Sequence, residues 1–318
     1  MPQFKTFLQV LEHCDKFPYT IDKNDPSEIH HAVPLRLGQF VIGHVLPSLI
    51  PALRNYNDSH DSPFVILDNV ITFAPAIDSF EKRTETVKSL MDTWRRDKVH
   101  HALAGWRDEL YPVYGDASRH DNVAFVMERA ATPLFGISTF GVHLNAYVQK
   151  DTGLHLWVAR RALTKQTWPG LLDNCVAGGI SYQYGTHETI VKECDEEASI
   201  PKELAQTARN VGAVSYYTYT DCGLQPETQY LFDLAMPADF MPVPKDGEVE
   251  CFYLWPMDKV RETILNGEWK PNCALVTIDF MIRHSIITAD NDPDYIDLLY
   301  RLHRKLEFPT PRPSNTKS

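Results

Sequence analysis

The sequence predicts an α/β protein of two domains, and three observations carry that prediction. At 318 residues the chain exceeds the size at which a single hydrophobic core stops growing. Segments of helical period and segments of strand period are interleaved along it. Between residues 114 and 122 the composition turns polar, with Gly115, Asp116, Ser118, Arg119, His120 and Asp121 in close succession, which sets a domain boundary near residue 120. The expected organisation is a smaller mixed α/β domain over residues 1–120, a strand-rich α/β domain over residues 121–290, and a last helix with a disordered tail over residues 291–318.

Within the first domain, Phe4, Phe7, Leu8 and Leu11 lie at helical spacing over residues 3–15. Residues 35–43 read as a strand or turn that leads to a helix over residues 46–56. Residues 65–67 and 70–73 are apolar and β-branched enough for strands. A long helical region is predicted from about residue 79 to 111, because Val87, Leu90, Met91, Trp94, Val99, Ala102, Leu103 and Trp106 form apolar stripes. Beyond the boundary, strands are predicted at residues 123–127, 141–149, 154–161, 213–220, 228–235 and 250–255, with a further short strand in 171–181. Helices are expected at 186–198, 202–209, 257–265 and 292–305. Pro256 marks the start of the third, and Asp294, Arg304 and Lys305 suit the dipole of the last. Pro309, Thr310, Pro311, Arg312, Pro313 and Ser314 read as a disordered tail.

Hydrophobic residues make up 43% of the chain and aromatic residues 11%, a composition that folds rather than staying disordered. The formal net charge of -11 argues against a nucleic-acid or anionic-membrane binder, since backbone phosphates demand basic patches. Six scattered cysteines without a C-x-x-C pair argue against a zinc ribbon or a disulfide framework. No stretch has the form of a signal peptide or the length of a membrane span. The expectation is a cytoplasmic monomer or homodimer that neither binds nucleic acid nor enters a membrane.

The chemistry concentrates in one stretch. Gly178-Gly179 runs through a short polar loop into a helix carrying Glu193, Glu196 and Glu197. These three stand at i, i+3 and i+4 and share a face, where like charges cost roughly a few tenths of a kcal/mol per pair. A divalent cation reverses that sign. Hard carboxylate oxygens on one rigid helix face suit Mg²⁺, with Mn²⁺ as an alternative, and Mg²⁺ suits phosphate chemistry. The glycine pair lets the backbone turn tightly and approach a phosphate.

Taken together, Pro169-Gly170, Gly178-Gly179 and Lys192-Glu193-Cys194-Asp195-Glu196-Glu197-Ala198-Ser199-Ile200 resemble a Nudix hydrolase: Gly-Gly, a loop, then Arg-Glu-U-x-Glu-Glu-x-Gly-U, with U aliphatic. Lys192 stands for the Arg, Cys194 for the first aliphatic residue and Ser199 for the Gly. The resemblance departs in two places. The acid six residues after the leading glycine is replaced, by Gly185 counted from Gly179 or Tyr184 counted from Gly178. The spacing from Gly179 to Lys192 is 192 − 179 = 13, against fourteen in the pattern. With Trp157-Val158-Ala159-Arg160-Arg161 and Thr167-Trp168-Pro169-Gly170 added, the chain is similar to the fungal and plant thiamin pyrophosphokinase-related Nudix proteins, in which a mixed α/β domain precedes the Nudix domain. The resemblance implies a C-terminal Nudix α/β/α sandwich with a mixed sheet. It also implies Mg²⁺-dependent hydrolysis of a small-molecule diphosphate, foremost thiamin diphosphate and its oxidised oxo and oxy derivatives, to the monophosphate. Glu193, Glu196 and Glu197 would hold the metal.

Further candidates flank this core. Arg160, Arg161 and Lys165 are plausible phosphate clamps, although strand alternation sends the two arginines to opposite faces. Glu248 and Glu250 precede a strand at which an additional acid or general base is expected, and Glu250 is taken as that residue. Tyr182 and Tyr184, in a polar loop, are candidates to stack on a substrate ring. His30-His31 and His100-His101 have no partner at ligand spacing and read as surface histidines. One alternative is an isopentenyl-diphosphate-isomerase-like enzyme, suggested by Lys165–Gly170. It needs a Cys-His segment, and Cys175-Val176-Ala177-Gly178 lacks the histidine. The other is a catalytically weak diphosphate-binding protein, suggested by the replaced acid.

Overall fold

A computed structural model describes residues 2–312. Its elements form two compact units, each assembled from separate stretches of chain. One unit comprises residues 2–16, Phe140–Tyr216 and Glu227–Lys305, and the other comprises Phe17–Thr139, Tyr217–Pro226 and residues 306–312. The chain therefore changes unit at 139/140 rather than at 120/121. Residues 123–139 group with the stretch before them, and the opening residues group with the glutamate helix.

In chain order, α1 (Phe7–Cys14) is capped by Thr6, whose hydroxyl accepts from Gln9 N. The elements of the Phe17–Thr139 unit follow: β1 (Val33–Leu37), β2 (Phe40–Val45), α2 (Ile50–Ser59), β3 (Phe64–Leu67), β4 (Val70–Phe73), α3 (Phe80–Arg96), β5 (Leu110–Tyr114) and β6 (Val123–Glu128). Four strands make a sheet in the order β2-β1-β4-β3, with β1 and β4 parallel, and β5 pairs with β6 antiparallel. Helix α3 buries Val87, Leu90, Met91 and Trp94 and starts at Ser79, whose side chain accepts from Lys82 N. It stops at Arg96, not near 111: Lys98 turns left-handed (φ 54°), and Tyr111 lies in β5. The apolar residues beyond the break, such as Leu103, belong to a separate 3₁₀ turn that feeds the same core. Periodicity alone carries no mark of that change of direction.

The other unit continues with β7 (Thr139–Lys150), β8 (Gly153–Arg161), β9 (Leu172–Asn174), β10 (Val176–Gly179), α4 (Thr186–Ala198), α5 (Lys202–Ala205), β11 (Arg209–Thr220), β12 (Gly223–Ala235), β13 (Val249–Pro256), α6 (Met257–Leu265), α7 (Pro271–Arg283) and α8 (Tyr295–Arg301), except that the end of β11 and the start of β12, over Tyr217–Pro226, group with the Phe17–Thr139 unit. Its sheet runs β11-β12-β7-β8-β13, with β10 paired to β7 and β9 to β8. The core gathers Leu156, Val158, Leu231, Val260, Leu275 and Phe280 with Phe7 and Leu11 of α1. The mixed α/β class is as expected. The last two expected helices are shorter than their patterns: α5 ends at Ala205, and α8 spans only Tyr295–Arg301.

Helix α7 has no counterpart in the sequence reading. Nine consecutive residues, Cys273 to Met281, are buried, including Thr277 and Asp279. A helix buried on all faces has no solvent-facing polar side to set off an apolar stripe. Its one local signal is Pro271 at the first helical position.

The start of the expected disordered tail is ordered. Buried Asn122 donates to Thr310 O (3.1 Å) and accepts from Arg312 N (3.0 Å). An amide enclosed in the protein recovers its lost hydration through such bonds. Pro313 and Ser314 lie outside the described residues.

Candidate active site

The loop after β10 delivers the chain into α4. Gly185 is the N-cap residue, and its backbone N–H donates to the Glu188 carboxylate at 3.0 Å. The Thr189 hydroxyl donates back to Gly185 O at 2.8 Å. At the far end Ser199 adopts the left-handed conformation (φ 52°), and its hydroxyl donates to Val243 O at 3.0 Å. That conformation is where the family pattern has glycine, which takes it without steric cost.

The three α4 glutamates are not equivalent. Glu197 is buried (7% exposed), and one carboxylate oxygen accepts from Ala177 N on β10 at 2.9 Å. Glu193 and Glu196 are both partly exposed, with side chains 16% and 46% exposed. Lys192 Nζ bridges them, at 3.4 Å from Glu193 and 2.6 Å from Glu196. Among the described residues, the three glutamates do not form a group whose ligand atoms all lie within 4.8 Å of one another.

Burial pushes the Glu197 carboxyl well above the usual carboxylate range. The Ala177 N–H opposes that shift, while the charges of Glu193, Asp173 and Glu248 add to it. Burial also raises Glu193, against the pull of Lys192. Two acids held off their ordinary ionisation on one face is the electrostatic situation a dication relieves.

Gly178 fits this face by what it lacks. A Cβ there would lie 2.5 Å from Glu193 Cδ and 2.7 Å from its Oε1. Gly178 precedes Lys192 by 192 − 178 = 14 residues. This is the spacing of the family pattern, so Gly178 rather than Gly179 corresponds to its leading glycine. Gly179 closes β10 opposite Gly141. On the Gly178 count the replaced acid is Tyr184, which is 51% exposed. Tyr182 is half-buried in the same loop.

Of the two acids that follow β12, Glu248 and not Glu250 acts on the α4 glutamates. Between Val249 and Cys251 the β13–β8 register slips, and Glu250 is the unpaired, exposed residue of that bulge. Glu248 acts electrostatically on both Glu193 and Glu197 and pairs with Lys165 Nζ at 2.5 Å. A bulge cannot be read from strand alternation, which is why the two glutamates look equivalent in sequence.

Arg160 and Arg161 hold protein rather than standing free as clamps. Arg161 donates to Thr167 O (2.8 Å), Trp168 O (3.0 Å) and the Asp173 carboxylate (2.7 Å). Arg160 donates to Gly170 O at 2.8 Å and to the Tyr253 hydroxyl at 3.1 Å. Both therefore anchor the loop containing Trp168, a non-glycine residue with φ 53°. Lys165 is committed to Glu248.

Within the same unit lies a buried polar network that the sequence did not suggest. His143 Nδ1 bonds Asn174 Oδ1 at 2.7 Å, Asn174 donates to Thr277 at 3.0 Å, and the Cys273 thiol donates to Asp173 at 2.7 Å. Burial and nearby Lys270 hold His143 down to about 4, so its ring is neutral. Burial pushes Asp173 up, but Lys270 and Arg161 outweigh that and keep it ionised. His143, Asp173 and Cys273 bring their ligand atoms within 4.8 Å, yet each already has a hydrogen-bond partner, as a structural network requires. The elements joined here are β9, α7 and β7, and β7 pairs with β10.

Comparison with known proteins places this geometry in context. A family model described as a domain of unknown function, DUF4743, matches residues 7–139 and ends where the chain changes unit. The uncharacterized protein YJR142W of Saccharomyces cerevisiae is 38% identical over 322 residues, covering 96% of this chain and 92% of that protein. Nudix hydrolase 20, chloroplastic, of Arabidopsis thaliana is 36% identical over 305 residues, covering 94% and 78%. Nudix hydrolase 24, chloroplastic, of the same plant is 33% identical over 297 residues, covering 93% and 77%. Among solved structures, DR0079 from Deinococcus radiodurans aligns over 53% of this chain and 98% of its own, with 19% identity and a TM-score of 0.39.

Proposed function

Because the chain belongs to the Nudix hydrolase family, and is thus a hydrolase of diphosphate bonds, we propose that α4 with Gly178 and Glu248 is its reaction centre and that thiamin diphosphate, with its oxidised oxo and oxy derivatives, is its substrate class. The observation that carries the site is the close approach of Gly178 and Glu193, with Glu197 buried one turn away. The substrate reading is supported by the resemblance across residues 157–201.

The donor set fits a hard dication: carboxylate oxygens on one helix, two of them held above their ordinary range by burial. Glu193, Glu196 and Glu197 would hold the ion. When bound, Mg²⁺, with Mn²⁺ as a substitute, offsets the charge of the diphosphate and activates water. Lys192 exchanges its two glutamate partners for phosphate oxygen. Gly178 keeps the strand backbone low enough for Glu193 to reach the site. Glu248, oriented by Lys165, accepts the proton of the attacking water, and the products are a monophosphate ester and inorganic phosphate. Arg160 and Arg161 act indirectly, by fixing the Trp168 loop.

The isomerase alternative finds no support in Cys175. It is fully buried and its thiol is pushed well above its ordinary range by burial, which suits packing rather than proton transfer. No helix among the described residues is long and apolar enough to cross a membrane. The test is a panel of thiamin diphosphate, its oxo and oxy forms, ADP-ribose and isopentenyl diphosphate, each incubated with Mg²⁺. The thiamin group should show the highest kcat/KM, by at least about tenfold. Preference for ADP-ribose would redirect the substrate assignment, and an allylic isomer would revive the isomerase.

A further inference from the structure

The His100-His101 pair has no ligand partner along the sequence, but the fold supplies one. His101 Nε2 lies 3.5 Å from Asp221 Oδ2, and one ligand atom each from His101, Asp221 and Cys222 falls within 4.8 Å of the others. All three residues belong to the Phe17–Thr139 unit and its inserted Tyr217–Pro226 segment.

Both supports are firm. Asp221 and Cys222 form the tip between β11 and β12, where Cys222 N donates to the Thr220 hydroxyl at 3.2 Å. The next residue, Gly223 (φ 123°), packs so closely that a Cβ would sit 2.4 Å from Pro133 O. On the other side, His101 opens a 3₁₀ turn anchored by buried Leu103. The neighbouring His100 ring stacks on His101 with centroids 4.5 Å apart. His100 Nδ1 accepts from Ala102 N, which leaves its proton on Nε2, so it flanks the cluster rather than entering it.

We propose that His101, Asp221 and Cys222 form a binding site for a single borderline transition-metal ion, Zn²⁺ in the first instance, with solvent in the remaining position. Nitrogen, carboxylate oxygen and sulfur in a single set select Zn²⁺ or Co²⁺ over Mg²⁺, which prefers oxygen alone. Bonds of about 2.0–2.3 Å at tetrahedral angles put donor atoms roughly 3.3–3.8 Å apart. The His101–Asp221 separation already meets that span. The cluster is open to solvent, with the Asp221 side chain 84% exposed, so an ion enters without unfolding. On binding, the thiol proton leaves to solvent and a metal–sulfur bond forms. The ion would clip the hairpin tip to the 3₁₀ turn, and the site shares no residue with the glutamate face.

The test is titration of the full chain with Co²⁺ in excess Mg²⁺, read by the sulfur-to-cobalt charge-transfer absorption, with Zn²⁺ as competitor. Expected is one equivalent of Co²⁺ with that band, displaced by Zn²⁺. Cys222→Ser should abolish the band, and His101→Ala or Asp221→Asn should weaken binding at least tenfold. Thermal melts of the metal-free variants, expected to match wild type, confirm that they fold. No band in the wild type, or a band unchanged in Cys222→Ser, would overturn the proposal. A band retained at wild-type affinity in both His101→Ala and Asp221→Asn would also overturn it.

Discussion

The carboxylate of Glu193 occupies the space that a side chain at position 178 would need: a Cβ on Gly178 would lie 2.5 Å from Glu193 Cδ. A strand residue and a helix residue fifteen positions apart are thus matched, one defined by an acid and the other by the absence of any side chain.

Gly178→Ala should therefore act on function through Glu193. The flexible carboxyl end yields first, so the cost in stability is modest, about 1–2 kcal/mol. Displacing the acid from the site should lower kcat by roughly 10–100-fold. Urea denaturation and steady-state kinetics on the same preparation separate the two effects. A full loss of folding with no specific kinetic defect would contradict this reading.

As a proposed metal ligand, Glu197 would set stability against function. Its carboxyl is raised in the folded state, so the fold favours the protonated form. The sign follows from linkage: stability is highest below the ordinary glutamate pKa and declines as pH rises from there toward the folded value. Glu197→Gln should thus raise Tm by a few degrees at pH 7 in the metal-free protein and give little gain near pH 4. Mg²⁺ should stabilise the wild type and not the variant. Calorimetry at the two pH values, with and without Mg²⁺, reads all of this.

The two glutamates before β13 should separate cleanly. Glu248→Gln should reduce kcat by about 10²-fold or more, as expected on loss of a general base. Glu250→Gln should stay within about twofold of wild type, because Glu250 is the exposed residue of a bulge. Equal effects from the two would remove Glu248 from its assigned role.

Arg161 should behave as a structural residue. Arg161→Ala leaves buried Asp173 without its closest charge partner, a loss worth about 3–5 kcal/mol for a buried pair, and frees the Trp168 loop. Chemical denaturation should show the drop. A variant with unchanged stability and a selectively raised KM for the diphosphate would instead restore Arg161 as a phosphate clamp.

Legibility in the sequence followed the range of the interactions. The α4 helix, its three glutamates and the preceding glycines depend on local spacing, and the helix that forms spans the predicted residues 186–198. What sequence could not give depends on register or on distant partners. The bulge that sets Glu250 apart from Glu248 is a property of β13 pairing with β8. The roles of Arg160 and Arg161 depend on a loop that folds back over their strand. Helix α7 carries no stripe because every face is covered. The choice of Gly178 over Gly179 becomes visible only when Glu193 is seen against the strand. His101 is apart from Asp221 by 120 residues, so no spacing rule would pair them.

The central claim is that α4 supplies the metal-binding acids for diphosphate hydrolysis. It is tested most directly by monophosphate release from thiamin diphosphate as a function of Mg²⁺, comparing wild type with the Glu196→Gln/Glu197→Gln double variant. The wild type should release monophosphate in a Mg²⁺-dependent way, and release should fall by at least about 10³-fold in the variant, with the fold intact. Wild-type turnover in the variant, or turnover indifferent to Mg²⁺ in either protein, would contradict it.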